Sequence, residues 1–263
     1  IYKEEYQELK EKGYKMTDVV GKDGIEKAYE SVLRGIDGSQ TVETSKAGKI
    51  TNVLNIVPPE VGKNCQLTID LRLQEVAEKS LAAIIPKLRK EGLQNKNWGG
   101  IDAKGGAIVA IEVKTGDVLV MASNPTFSLE NYSKDYNTLV KDKYLPLFNR
   151  AIMGAYPPGS TFKMVTALCG LESGVITANT QIRCDGVYKF YAPTYQPQCD
   201  IYRRKKTTHG YLDVSSAIKV SCNYFFYETG RLETIERLEP LARRFGFGSK
   251  TGIEISGEAS GTM

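Results

Sequence analysis

The spacing of apolar residues divides the chain into a polar first stretch and a more strongly patterned remainder. Over 21–35, "GKDGIEKAYESVLRG", Ile25, Tyr29, Val32 and Leu33 recur at helical spacing. Asp23 suits the cap of that helix, with Glu26 three residues on, and Gly35 suits its end. Residues 37–64 continue as short β-type runs broken by Gly, Thr and Pro, which predicts strands and turns. Residues 1–62 thus read as a small pedestal or linker portion without a catalytic cluster.

From residue 63 the patterning strengthens. "LTIDLRLQEVAEKSLAAIIPKL" (67–88) opens as a strand and turns helical, with Leu73, Val76, Ala77, Leu81, Ile84 and Leu88 on one side. "GGAIVAIEVKTGDVLVMAS" (105–123) predicts a β-hairpin turning at Thr115-Gly116-Asp117. "AYPPGSTFKMVTALCGLESG" (155–174) predicts an apolar helix entered through Pro157-Pro158-Gly159. An irregular segment over 178–208 and a short helix near 214–220 follow. "SCNYFFYETG" comes next, then a last helix from Thr234 to Phe245 closed by Gly246. Hairpin strands followed by a block of helices predict an α+β fold rather than a parallel βαβ array.

Composition adds exclusions. With 263 residues, 25% charged and 41% apolar, the chain can bury a substantial core. A formal charge of +4, and no basic segment interleaved with aromatics, argue against nucleic acid as a partner. The run Arg203-Arg204-Lys205-Lys206 reads as a solvated loop. No apolar run approaches the ~18 residues of a membrane span, and no signal-peptide pattern opens the chain. The start, "IYKEEYQELK", lacks an initiator methionine, so the chain is read as an excerpt of a longer protein.

The candidate chemistry centres on Ser160 and Lys163. A serine hydroxyl is a weak nucleophile until a base takes its proton, and three residues along a helix bring two side chains to one face. A lysine serves as that base only when burial lowers its pKa well below the usual ~10.4. The unpaired N–H groups of the helix start can hold a developing oxyanion. The plainer reading is that Ser160 only caps the helix. Ser221-Cys222-Asn223 lies 61 residues after Ser160, between two helical stretches, and offers a hydroxyl for proton relay and an amide for a substrate carbonyl. His209 is the sole histidine and no GxSxG elbow exists, which disfavours a Ser-His-Asp triad.

"YPPGSTFK" with "SCNYFFY", preceded by "GAIVAIEVKTGDVLVMASNP", resembles the penicillin-binding transpeptidases. "LTIDLRLQ" and "GIEKAYESVLRG" fit their class B, monofunctional branch, that of penicillin-binding protein 2 in particular. The resemblance implies an antiparallel sheet flanked by helices over 63–263, behind the pedestal portion of 1–62. It implies a peptidoglycan D,D-transpeptidase: Ser160 as acylated nucleophile, Lys163 as base, Ser221 as proton shuttle and Asn223 as substrate-orienting amide. The substrate would be the D-Ala-D-Ala end of a stem peptide, with β-lactams as mimics. A cell-wall glycosyltransferase and elongation-complex proteins would be partners. The place would be the extracytoplasmic face of the bacterial membrane, the parent held by an N-terminal helix absent here. A non-enzymatic cell-wall scaffold, a β-lactam sensor and a serine β-lactamase are the alternatives.

The family also needs a Lys-Thr/Ser-Gly strand. Lys114-Thr115-Gly116 precedes the nucleophile, in a hairpin turn, and Lys250-Thr251-Gly252 lies only 29 residues past Ser221. Both read as decoys. The C-terminal strands are therefore expected to be missing, and the excerpt to be weak or inactive.

Five cysteines form no CxxC pair. Cys169 shares a helical face with Phe162 and Val165 and reads as core; Cys65 carries no signal. Cys184, Cys199, His209 and Cys222 make a Cys₃His set suited to tetrahedral zinc, although gaps of 14, 9 and 12 residues match no finger. The resemblance extends here, since penicillin-binding protein 2 members can carry a metal site between nucleophile and Ser-x-Asn turn. Some have aspartates where this chain has Cys184 and Cys199, and thiolates favour a structural zinc further. A Cys184–Cys199 disulfide is the competing expectation.

Overall fold

The computed structural model describes residues 1–95 and 100–262. The chain divides into two compact units: Ile1–Gly154 with Gly252–Glu258, and Ala155–Thr251 with a strip beginning at Ala259. Among the described residues all strand pairing is antiparallel, in three two-stranded sheets, and helices supply the rest of an α+β fold.

The first unit runs α1 (Lys3–Glu11), α2 (Gly24–Ala28), α3 (Glu30–Leu33), β1 (Ser39–Thr44), β2 (Ile50–Val57), α4 (Leu71–Gln94), β3 (Gly106–Ile111), β4 (Val118–Asn124) and α5 (Tyr132–Lys141). The single helix expected over 21–35 is instead two. Asp23 does cap α2, accepting from the Gly24 N–H at 2.8 Å, but the helix breaks at Tyr29. Polar links fold the segment back on itself: the Gly21 N–H donates to the Glu30 carboxylate at 2.8 Å, and Arg34 pairs with Asp18.

Asp70 caps α4, accepting from the N–H groups of Arg72 and Leu73. The strand expected just before it does not form. Residues 67–70 are tied down singly, by Thr68 Oγ1 to the Val118 carbonyl (2.7 Å) and by the Asp70 N–H to that of Leu119 (3.0 Å). The buried stripe also differs from expectation. Ala77, Leu81 and Ile85 face inward, whereas Leu73, Val76 and Ile84 are exposed. The apolar face of the β3–β4 hairpin decides this, because Ala77 and Leu81 pack on Val120 and Ala122. Burying a leucine there contributes about 2 kcal/mol. Gln74 then brackets Met121, donating to its carbonyl at 3.0 Å and accepting its N–H at 2.9 Å, which pairs backbone groups on the open edge of β4.

The second unit opens on a single 3₁₀ turn (Gly159–Phe162) that runs into α6 (Lys163–Glu172). It continues with β5 (Ile182–Cys184), α7 (Asp200–Lys205), β6 (Gly210–Leu212), α8 (Val214–Lys219), α9 (Asn223–Glu233) and α10 (Ile235–Arg244). The segment expected to be irregular over 178–208 therefore holds a strand and a helix. The basic run expected as loop is the end of that helix, where Arg203 and Arg204 both pair with Asp200 one turn back. Helix α6 packs on α9 and α10. Ala167, Ile176, Leu212, Ala217, Phe225 and Phe226 form the core, together with Cys184, Cys199 and Cys222.

Candidate functional site

Ser160 sits in the 3₁₀ turn, and Gly159 before it has φ 59°, a left-handed conformation that favours glycine. Ser160 is exposed, and its hydroxyl does not cap the helix; its carbonyl accepts the Lys163 N–H. Lys163 follows as the first residue of α6, half-buried. No hydrogen bond joins its Nζ to Ser160. The amine donates instead to the Ser221 carbonyl at 2.8 Å, to Ser221 Oγ at 3.0 Å and to Asn223 Oδ1 at 2.6 Å.

Local backbone explains why Ser221 and Asn223 meet one amine. Helix α8 ends at Lys219, Ser221 takes φ 51°, and α9 starts at Asn223, so a sharp corner turns both toward Lys163 while buried Cys222 points away. Burial pushes the Lys163 pKa down, opposed in part by negative charge on Cys199, Cys222 and Asp200. A partly desolvated amine hydrogen-bonded to a hydroxyl, on the same helical turn as a free serine, can accept and pass protons.

The four predicted ligand residues converge. Cys184 pairs with Gly210 across β5–β6, which sets His209 alongside it. Cys199 stands at the residue before α7, just after the Val187–Gln198 bridge, and Cys222 at the residue before α9, neither side chain making a cap hydrogen bond to its helix start. Their ligand atoms all lie within 4.8 Å of one another, and the three thiols are buried. Cys199 Sγ is 3.7 Å from His209 Nδ1 and 3.9 Å from Cys222 Sγ. Two thiolates sharing a tetrahedral zinc at 2.3 Å bonds stand about 3.8 Å apart, so the donor set and its spacing fit that ion. The five cysteines are unbridged. Burial raises the Cys199 thiol, but the Tyr224 and Asn223 N–H groups at the start of α9 outweigh it and hold the pKa below its ordinary value. Burial and the Lys163 charge lower His209, favouring the neutral ring that ligation needs.

Neither Lys-Thr-Gly lies on a strand. Lys114-Thr115-Gly116 forms the β3–β4 turn, with Gly116 at φ 81°, and Lys250-Thr251-Gly252 is irregular, with Gly252 at φ 88°. Sequence patterns carry no signal for Glu233, a fully buried acid at the end of α9 whose carboxyl oxygens lack a well-formed hydrogen bond among the described residues. The Cys169 thiol and the Gly170 N–H are close enough only to offset part of the cost of burial. Burial raises its pKa to about 7. Its setting in "ETGRLET" looks like helix surface, and only packing against α6 reveals it.

The chain belongs to the penicillin-binding protein transpeptidases: the Penicillin binding protein transpeptidase domain matches residues 106–263, and the Penicillin-binding Protein dimerisation domain matches residues 1–67. The peptidoglycan D,D-transpeptidase MrdA of Salmonella typhimurium is 37% identical over 252 residues, covering 93% of this chain and 36% of that protein. Penicillin-binding protein PBP2 of Helicobacter pylori, solved in complex with MreC, is 30% identical with a TM-score of 0.76 over 98% of this chain and 44% of that one. A chain solved for the structural coordination of polymerization and crosslinking by a peptidoglycan synthase complex is 34% identical. Its TM-score is 0.81, over 95% of this chain and 43% of that one. The chain spans about a third of the length of the curated relatives it matches.

Proposed function

We propose that this chain carries the nucleophile half of a peptidoglycan D,D-transpeptidase site. The observation that carries the reading is the triple hold on Lys163 by Ser221 and Asn223, from 58 and 60 residues away, next to a serine not used as a cap. Ser160 Oγ attacks the carbonyl carbon of the penultimate D-Ala, and the Lys163 amine takes its proton. Ser221 relays a proton to the nitrogen of the departing D-Ala as the peptide bond breaks, leaving an ester on Ser160. Asn223 orients the peptide amide. The amine of a second stem peptide then attacks the ester, forms the cross-link and frees Ser160. A β-lactam follows the first step only, because its leaving nitrogen stays tethered.

Cys184, Cys199, His209 and Cys222 would hold a zinc ion. Four protein ligands leave no open position, so its contribution is to fix the corner that carries Ser221 and Asn223.

The site of action is the extracytoplasmic face of the bacterial membrane, where peptidoglycan is cross-linked, with the anchor lying outside the described residues. No helix among them is long and apolar enough to cross a membrane. A glycosyltransferase and elongation-complex proteins are the proposed partners. Support comes from neighbours solved with MreC and in a peptidoglycan synthase complex.

Intact-mass analysis after penicillin treatment tests the reading. Protein carrying these residues gains one acyl adduct, and Ser160→Ala gains none. An adduct that persists in Ser160→Ala rejects the assignment, and no adduct on a longer protein that also carries a Lys-Thr/Ser-Gly strand favours a cell-wall scaffold.

A further inference from the structure

A groove of about 450 Å³ opens directly on Asn223 and is lined by Gln196, Gln198, Asp200, Arg203 and Tyr227. None of these five has a part in the acylation chemistry. Three features fix the lining of the groove. The strand segment that carries Gln198 is pinned by the Val187–Gln198 bridge and by the Cys199 N–H, which donates to the Gly186 carbonyl at 2.7 Å. Tyr227 is half-buried and packs on Tyr188, with ring centroids 5.8 Å apart, giving one firm aromatic wall. Asp200 is held at the start of α7 by both Arg203 and Arg204.

The lining has a definite chemistry. Gln196 and Gln198 each offer a donor and an acceptor, as a peptide backbone does. One Asp200 carboxylate faces two guanidiniums, so the rim keeps an excess positive charge. The Arg203 side chain is 73% exposed and bonds Asp200 through Nη2 at 2.8 Å. A guanidinium carries five donors in a planar fork, so most of those on Arg203 stay open for a second carboxylate.

We propose that this groove is a subsite for the peptide leading away from the scissile bond, and that Arg203 selects peptides bearing a free side-chain carboxylate there. The proposal rests on the transpeptidase reading and adds a specificity to it. The two glutamines hold the peptide backbone, Tyr227 supports its apolar part, and Arg203 pairs with the carboxylate at the rim.

Binding, rather than turnover, tests it. Two fluorescent peptides ending in D-Ala-D-Ala, one with a free side-chain carboxylate and one with the matching carboxamide, are titrated by fluorescence anisotropy. The wild type binds the carboxylate peptide about threefold more tightly, the scale of one solvent-exposed ion pair. Arg203→Gln removes that preference and Arg203→Lys restores part of it. Equal affinities in the wild type, or a preference that survives Arg203→Gln, overturn the proposal. Because Arg203 is exposed, its replacement leaves the core intact, and a thermal melt verifies this. The two readings fail separately. Protein that prefers the acidic peptide but is not acylated by penicillin keeps the subsite and loses transpeptidation. Protein that is acylated but indifferent to the carboxylate loses only the subsite.

Discussion

Lys163 grips Ser221 twice, donating from Nζ to the carbonyl at 2.8 Å and to the hydroxyl at 3.0 Å. The amine is thereby wired to the residue proposed to relay its proton, and Asn223 Oδ1 at 2.6 Å fixes the remaining direction. A permanent cation could make these contacts as well; it is the proposed role of base that requires a group able to lose a proton.

Lys163→Arg therefore abolishes penicillin acylation of Ser160 by at least about 100-fold, since a guanidinium stays protonated and general-base catalysis contributes on that scale. In the wild type the amine pKa is depressed by burial, so the neutral fraction grows with pH and acylation climbs on a limb below 10.5. Rapid-mixing rates across pH measure this. A normal rate in the arginine variant, or a flat profile, removes Lys163 from the role of base.

The cysteine cluster predicts about one zinc per chain by elemental analysis. Chelation, and likewise His209→Ala, lowers the melting temperature, since binding energy at such a site is also folding energy. Metal-free protein with two fewer titratable thiols than cysteines would indicate the Cys184–Cys199 disulfide instead.

Glu233 predicts an inverse pH dependence of stability. Its pKa of about 7, raised from 4.5 by burial, means that the folded state holds the proton more tightly than the unfolded chain. Its stabilising share is full below pH 4.5 and is lost as pH rises through 7. Glu233→Gln cannot ionise. From pH 5 to pH 8 its stability relative to wild type improves by roughly 2 kcal/mol, at about 1.4 kcal/mol per pKa unit. Urea melts at the two pH values measure this, and a constant difference would show that Glu233 does not titrate in that range.

Lys250→Ala leaves penicillin labelling of Ser160 within about twofold, as befits a residue in irregular backbone. Were Lys250-Thr251-Gly252 the working third motif, losing one strand contact to the oxyanion or carboxylate would slow labelling by about 100-fold or more.

What the sequence disclosed follows from where the information resides. The corner at Ser221-Cys222-Asn223, the 105–123 hairpin and the cap at Asp23 are local, and short patterns encode them. Helix α4 was legible as a helix, but its buried face was not. Leu73, Val76 and Ile84 compete with Leu81 and Ile85 in any periodic reading, and only the β3–β4 hairpin selects among them. The Lys163 contacts with Ser221 and Asn223 span about 60 residues, so spacing proposed the Ser160–Lys163 pair but could not show what holds the amine. Gln196, Gln198 and Arg203 read as loop because their common groove exists only after Cys199 and Gln198 are pinned.

Ser221 is held at φ 51°, where every side chain with a Cβ pays roughly 1 kcal/mol that glycine avoids. Thermal robustness and chemistry therefore point to different residues at this one position. A variant library sorted only for resistance to heat would enrich glycine at 221 and, in the same step, discard the hydroxyl that Lys163 holds. Selection for a hardier protein would run directly against selection for one that keeps this hydroxyl.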